Sequence, residues 1–218
     1  MNTYVLSVLL NLVSSLMEPF FSIVFVSAFM GERFDKRKKD IAALTIIIQF
    51  IFCMFADKVA IFSILKFLIC HLISLIGLWV IYLKNYDRVF FITIIDMVSI
   101  VFIDGITSYA IAFVIQKPLN IILQGTRYRV IGIVLALTFK CVFVFGIKIC
   151  FRDARMLRRN SMIVIALLSS GIMALSLYLY NDCLKKASVS FMQMLMAAIL
   201  TIMYILVIFS IFMLDDNR

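Results

Sequence analysis

Apolar residues follow one another along this chain without the polar stripe that a helix or strand on a globular surface needs. Runs at 3–30, 41–56, 59–83, 89–115, 130–151, 161–180 and 188–214 carry Leu, Ile, Val, Phe and Met on every side. A helix that is apolar all round is buried in lipid or in a large protein. Most of these runs reach or exceed the ~20 residues that cross a hydrocarbon layer about 30 Å thick. The pattern therefore predicts an all-α fold, a polytopic membrane bundle of about seven transmembrane helices forming a single membrane domain over residues 1–218. The break between the second and third runs falls at Asp57–Lys58, without Gly or Pro. Left unbroken, residues 41–83 would make a helix of about 65 Å, twice the hydrocarbon thickness, so a turn is required there. The second run is short and is expected to stand with little tilt.

Composition agrees: 65% of the 218 residues are apolar, 15% are charged, and no polar stretch is long enough to fold alone. No Lys or Arg precedes the first apolar run, and Glu18–Pro19 interrupts it. The first 30 residues are thus expected to stay as a helix of the fold rather than act as a cleaved signal. The net charge of +9 first suggests nucleic acid, but the cations sit between spans, where topology explains them. Arg33, Lys36, Arg37, Lys38 and Lys39 fill the first loop, Lys84 and Arg88 the third, and Arg152, Arg155, Arg158 and Arg159 the fifth. The even loops hold Lys58, then Lys117, Arg127 and Arg129, then Lys185 and Lys186, making eleven cations against six. Odd loops are therefore expected in the cytoplasm, with the amino terminus outside and the carboxy terminus inside. The partner is the lipid bilayer, and no nucleic-acid partner is expected. Of the five cysteines, Cys53, Cys70, Cys141 and Cys150 lie in apolar runs as small hydrophobes, Cys183 falls in a loop, and no spacing suggests a metal site or a disulfide framework.

Polar groups inside a bilayer cost about 2.5–3.5 kcal/mol each when ionisable, so their positions carry information. In the first run Ser7, Asn11, Ser14, Ser15, Glu18 and Ser22 recur at three and four residues and share a helical face. That face is either a packing seam bent at Pro19 or a ligand-sensing stripe. In the fourth run Thr93, Asp96, Ser99, Asp104, Thr107 and Ser108 form a second polar sector. Candidate counter-charges are Lys66 in the third span and Lys140 in the fifth, the latter too deep to snorkel. An Asp–Lys pair across helices is the simpler account, and a proton or ion relay the alternative. Asn11, Glu18, Lys66, Asp96, Asp104 and Lys140 are thus the candidate packing or switch residues. His71, the sole histidine, reads as a hydrogen-bonded core residue.

Catalytic chemistry is poorly supplied. Cys70 and His71 are neighbours pointing about 100° apart, a zinc site lacks ligands, and there is no Gly-rich phosphate loop. No catalytic residue, metal or cofactor is expected, and the chain reads as non-enzymatic. The fourth loop, 116–129, places Leu119, Ile121, Ile122 and Leu123 between Pro118 and Gly125. It reads as a segment lying at the interface, or as one wall of a shallow pocket for an extracellular peptide or small apolar ligand. Leu119, Ile122, Arg127 and Tyr128 are the candidate contacts, with Arg129 offering a further polar group. Met192, beside Phe191, Met194 and Met196 near the outer end of the last span, is added because methionine surfaces adapt to varied apolar partners.

The outside amino terminus, the polar-seamed first helix followed by ERFDKRKKD at 32–40, the tiny outer loops and the inward-exiting last helix together resemble one family. These are the transmembrane sensor regions of bacterial histidine kinases with GHKL-type ATPase domains, including accessory-gene-regulator peptide receptors. The resemblance covers the whole chain as layout rather than motif. It implies a receptor in the bacterial plasma membrane, working as a homodimer, that detects an extracellular signal and passes it through the last helix. No phosphoacceptor His follows the seventh run, so the kinase domain that the resemblance implies would have to follow or act in trans. A different class remains open: a small membrane transporter, or the substrate-binding subunit of one. Low Gly (7) and Pro (2) and the lack of an internal repeat weigh against broken-helix transporters.

Overall fold

A computed structural model describes residues 3–30, 34–58, 63–83, 85–118, 127–150, 159–184 and 190–216. Among these the regular elements are seven α-helices: α1 (Thr3–Met30), α2 (Lys36–Lys58), α3 (Ser63–Ile81), α4 (Tyr86–Ile115), α5 (Arg127–Cys150), α6 (Arg159–Leu184) and α7 (Phe191–Asp216). Five of them, α1, α2, α4, α5 and α7, are long and apolar enough to cross a membrane. The other two carry shorter apolar stretches, Leu65–Ile81 in α3 and Ile163–Ser176 in α6. The chain is a polytopic membrane helical bundle.

Helices begin and end where polar residues can replace the missing intrahelical partners. Asp35 Oδ1 accepts the Lys38 N–H at 2.8 Å and caps α2. Ser190 and Gln193 form a reciprocal capping box at the start of α7: the Gln193 N–H reaches Ser190 Oγ at 3.3 Å, and the Ser190 N–H reaches Gln193 Oε1 at 3.0 Å. α4 stops at Gln116, whose left-handed conformation (φ 54°) turns its own N–H and side chain back onto the Phe113 carbonyl.

Three boundaries differ from the sequence-based expectation. α2 starts at Lys36, so its basic residues form the first turn, and its apolar window, Lys36–Ala56, has 21 residues. α2 also runs through Asp57–Lys58, the expected position of the break. Cys183 falls in the last turn of α6 rather than in a loop.

α4 is the hub, packing against α1, α3, α5, α6 and α7. Half of its apolar window is buried, against 17% in α5 and α7. One continuous core joins Phe21 and Phe25 of α1, Leu78 of α3, Ile92 and Ile95 of α4, Val144 of α5, Ile165 of α6 and Tyr204 of α7. The outward faces are as greasy as the core: Ile51, Phe55, Val142, Leu167 and Leu206 are all more than half exposed. Such a surface would aggregate in water and is satisfied by lipid.

α2 and α3 form an antiparallel pair, read from three contacts that run in opposite directions along the two helices. Gly77 meets Thr45 closely enough that a Cβ at 77 would lie 2.9 Å from the Thr45 Cβ. Ser74 donates to Gln49 Oε1 at 2.6 Å, both residues buried. The Cys53 and Cys70 sulfurs approach to 3.3 Å. Spacing alone gave no hint of that thiol contact, because it joins two different spans.

Candidate functional site

The polar face of α1 and the polar sector of α4 touch at Ser22 and Asp96 and part toward the start of α1. They meet α5 around a cavity of about 270 Å³. α1 supplies Asn11, Ser14 and Glu18; α4 supplies Asp104, Thr107, Ser108 and Ile111; α5 supplies Arg129, Gly132, Ile133, Ala136, Leu137 and Lys140. On each helix these recur at three and four residues, so a single face of each lines the space.

Lys140 forms the floor. Its ammonium lies 2.8 Å from Asp104 Oδ1 and 2.9 Å from Asp104 Oδ2, and 3.5 Å from Glu18 Oε1. Ser14 Oγ donates to the same Glu18 oxygen at 3.3 Å. The lysine side chain is 3% exposed, whereas those of Glu18 and Asp104 are 36% and 46% exposed. The ammonium is therefore sealed behind two carboxylates that face the open space. Lys140 sits about 20 Å along α5 from its first residue and about 15 Å from its last, close to the middle of the span.

The cavity extends from this floor in one direction. Lys140 pairs with Glu18, and three residues further along α5 the Phe143 ring stacks on Phe25 at 6.1 Å, so α1 and α5 run parallel. α4 runs opposite to both, since Gly132 faces Ile111 while Lys140 faces Asp104. The lining residues beyond the floor thus all lie toward the start of α1, the end of α4 and the start of α5. Exposed Arg129, about 16 Å from Lys140 along α5, marks the mouth. On the far side Phe21, Phe25, Val144 and Ile147 are 0–3% exposed and close the space.

Asp96 stands apart. It is 1% exposed, hydrogen-bonds Ser22 of α1, and lies outside the cavity lining. One turn along α4, Ser99 joins α7. The Ser99 and Tyr204 hydroxyls are 2.7 Å apart and both reach the Ile95 carbonyl, at 2.7 and 2.9 Å. The Tyr204 ring also stacks on Phe102 at 5.0 Å. The helix that lines the cavity is therefore bonded to the last helix.

Of the candidate packing or switch residues, Asn11, Glu18, Asp104 and Lys140 come together here, with Lys140 as the counter-charge. Asp96 belongs to the sealed core, and Lys66 sits half-buried on α3, outside the lining. Of the candidate ligand contacts, Leu119 and Ile122 lie outside the described residues. Arg127 is exposed in the first turn of α5. Tyr128 packs against the cluster of Tyr109, Ile111, Ala112 and Ala197, with the Lys117 ammonium 5.0 Å from its ring centre. Met192 is 64% exposed, and neither it, Arg127 nor Tyr128 lines the cavity. The lining residues Gly132, Ile133, Ala136 and Leu137 escaped notice, although stepping back from Lys140 by three and four residues along α5 finds each of them. His71 bonds its own helix, its Nδ1 3.0 Å from the Phe67 carbonyl. A carbonyl can only accept, so Nδ1 carries the proton.

Compared with protein-family models, with curated proteins and with solved structures, the chain matches none.

Proposed function

We propose that this chain is a membrane-embedded receptor whose one-ended cavity binds a small extracellular ligand and passes the event to α7. The observation that carries the proposal is the cavity itself: a polar, charge-floored space reaching mid-span and stopped beneath by tightly buried aromatic and aliphatic side chains. Its mouth lies at the amino-terminal end of the bundle, the outer end if the cation-rich connections stay in the cytoplasm. A ligand there touches α1, α4 and α5 together. α4 in turn grips Tyr204 of α7 through Ser99 and the Ile95 carbonyl. A ligand with different affinity for two packings of α4 shifts the position of α7, and one with equal affinity shifts nothing. The output partner would be a kinase domain engaged by α7, as the resemblance to histidine-kinase sensor regions implies.

One observation favours a transporter instead: the carboxylates of Glu18 and Asp104 are reachable at mid-membrane. Against it, Asp96 is 1% exposed and is not part of the same cavity, so among the described residues the polar sector of α4 is not continued as open space beyond the floor. Single cysteines at positions 96, 107 and 108 in a cysteine-free background, probed with a membrane-impermeant thiol reagent from each side, separate the two. A receptor is labelled at 107 and 108 from the amino-terminal side only, with 96 silent. Labelling of 96, 107 or 108 from both sides would establish transport and end the receptor proposal.

A further inference from the structure

We infer that the cavity is a site for a small primary ammonium ion with a short aliphatic body. The inference rests on the cavity being the ligand site proposed above and adds the chemistry of what enters it. At the floor two carboxylates share one lysine, so among the described residues one negative charge there has no cation of its own. Arg129, the other cation in the lining, is exposed at the mouth about 16 Å up α5, where water solvates its charge. An unmatched charge at mid-bilayer depth is costly, and a cation delivered through the mouth removes that cost.

Hydrogen bonding narrows the class. Two carboxylates offer roughly eight acceptor positions, of which Lys140 and Ser14 engage about four. Glu18 and Asp104 line the cavity together with Asn11 and Ser108, whose hydroxyl donates to the Asp104 carbonyl at 2.8 Å. A primary ammonium, with three donors on one small head, suits such a set. The size and walls of the space suit an organic cation better than a bare metal ion. About 270 Å³ equals roughly nine waters, and Ile111, Ile133, Ala136 and Leu137 make much of the wall aliphatic. A ligand of that volume has a carbon body, and only a positive head complements the floor.

The test uses the full chain in detergent micelles, with thermal unfolding read in the presence of n-butylammonium, n-butanol, n-butyrate or sodium, each as a matched series up to 100 mM. n-Butylammonium alone should raise the midpoint, by roughly 3–6 °C at ten times its dissociation constant. Glu18→Gln makes the floor neutral while leaving the Lys140–Asp104 pair, and should abolish the shift. Gly132→Leu fills the space without touching a charge and should also abolish it. Gly132→Ala should retain it, since its Cβ would meet only Ile111 Cδ1 at 3.4 Å. Equal shifts with butanol or sodium, or a butylammonium shift that survives Glu18→Gln, would overturn the inference. If no probe shifts the midpoint while the cysteine at 107 is labelled from the mouth, the ammonium class is wrong and the receptor cavity stands. If that cysteine is also unlabelled, both fall.

Discussion

Replacing Lys140 with Met tests whether the bundle depends on its buried cation. Methionine keeps the unbranched stem and lacks only the terminal ammonium, so the change removes charge with little change of volume. At an effective dielectric of ~20, the 2.8 Å contact with Asp104 carries about 6 kcal/mol of gross attraction and the 3.5 Å contact with Glu18 about 5 kcal/mol. Desolvation of the ammonium and repulsion between the carboxylates offset most of this. What remains is the penalty of stranding charges, about 3–5 kcal/mol when a buried pair is broken. Glu18 and Asp104 are 36% and 46% exposed and line the cavity, so water recovers part of it. A loss of about 2–4 kcal/mol is expected, or roughly 5–15 °C in unfolding midpoint for a chain of this size. The assay is thermal unfolding followed by helical ellipticity in micelles. A second variant, Lys140→Met with Glu18→Gln and Asp104→Asn, neutralises all three positions and should recover most of the loss. A midpoint for Lys140→Met within 2 °C of the parent, or additive destabilisation in the triple variant, would refute the coupling of these charges.

Three further outcomes follow from the packing. Gly77→Leu should cost about 1–3 kcal/mol, because the new side chain enters space held by Thr45, and Thr45→Ala should restore part of it; chemical unfolding midpoints of the single and double variants check this. Ser74→Ala leaves the buried Gln49 carbonyl without its 2.6 Å donor and should cost about 0.6–1.7 kcal/mol, measured the same way. Tyr204→Phe keeps the stack on Phe102 but loses the hydroxyl contacts to Ser99 and Ile95. A cost of about 1 kcal/mol is expected, and Tyr204→Leu, which also loses the ring, should lower the midpoint further.

Membrane residence and helix content were written in the sequence, since seven apolar runs with cations between them leave lipid as the only solvent that suits them. The α1 face of Asn11, Ser14 and Glu18 was equally legible, because a helix turns strict spacing into a shared side. So was the need of a mid-span lysine for a carboxylate. Which carboxylates would answer Lys140 was not legible. Asp96 and Asp104 lie in the same sector of α4, and only the relative heights of α1, α4 and α5 brought Asp104 and Glu18 to the ammonium and sealed Asp96 with Ser22. The sequence offered both the α1 face and the outer loop as places for a ligand; the cavity opens along the α1 face, and residues 119–126 of the loop lie outside the described residues. Periodicity assigns each residue a direction around its own axis, but the offset between neighbouring helices comes from how Phe25 meets Phe143, Gly77 meets Thr45 and Tyr204 meets Ser99. Those are contacts between residues far apart in the chain, and only the folded packing decides them.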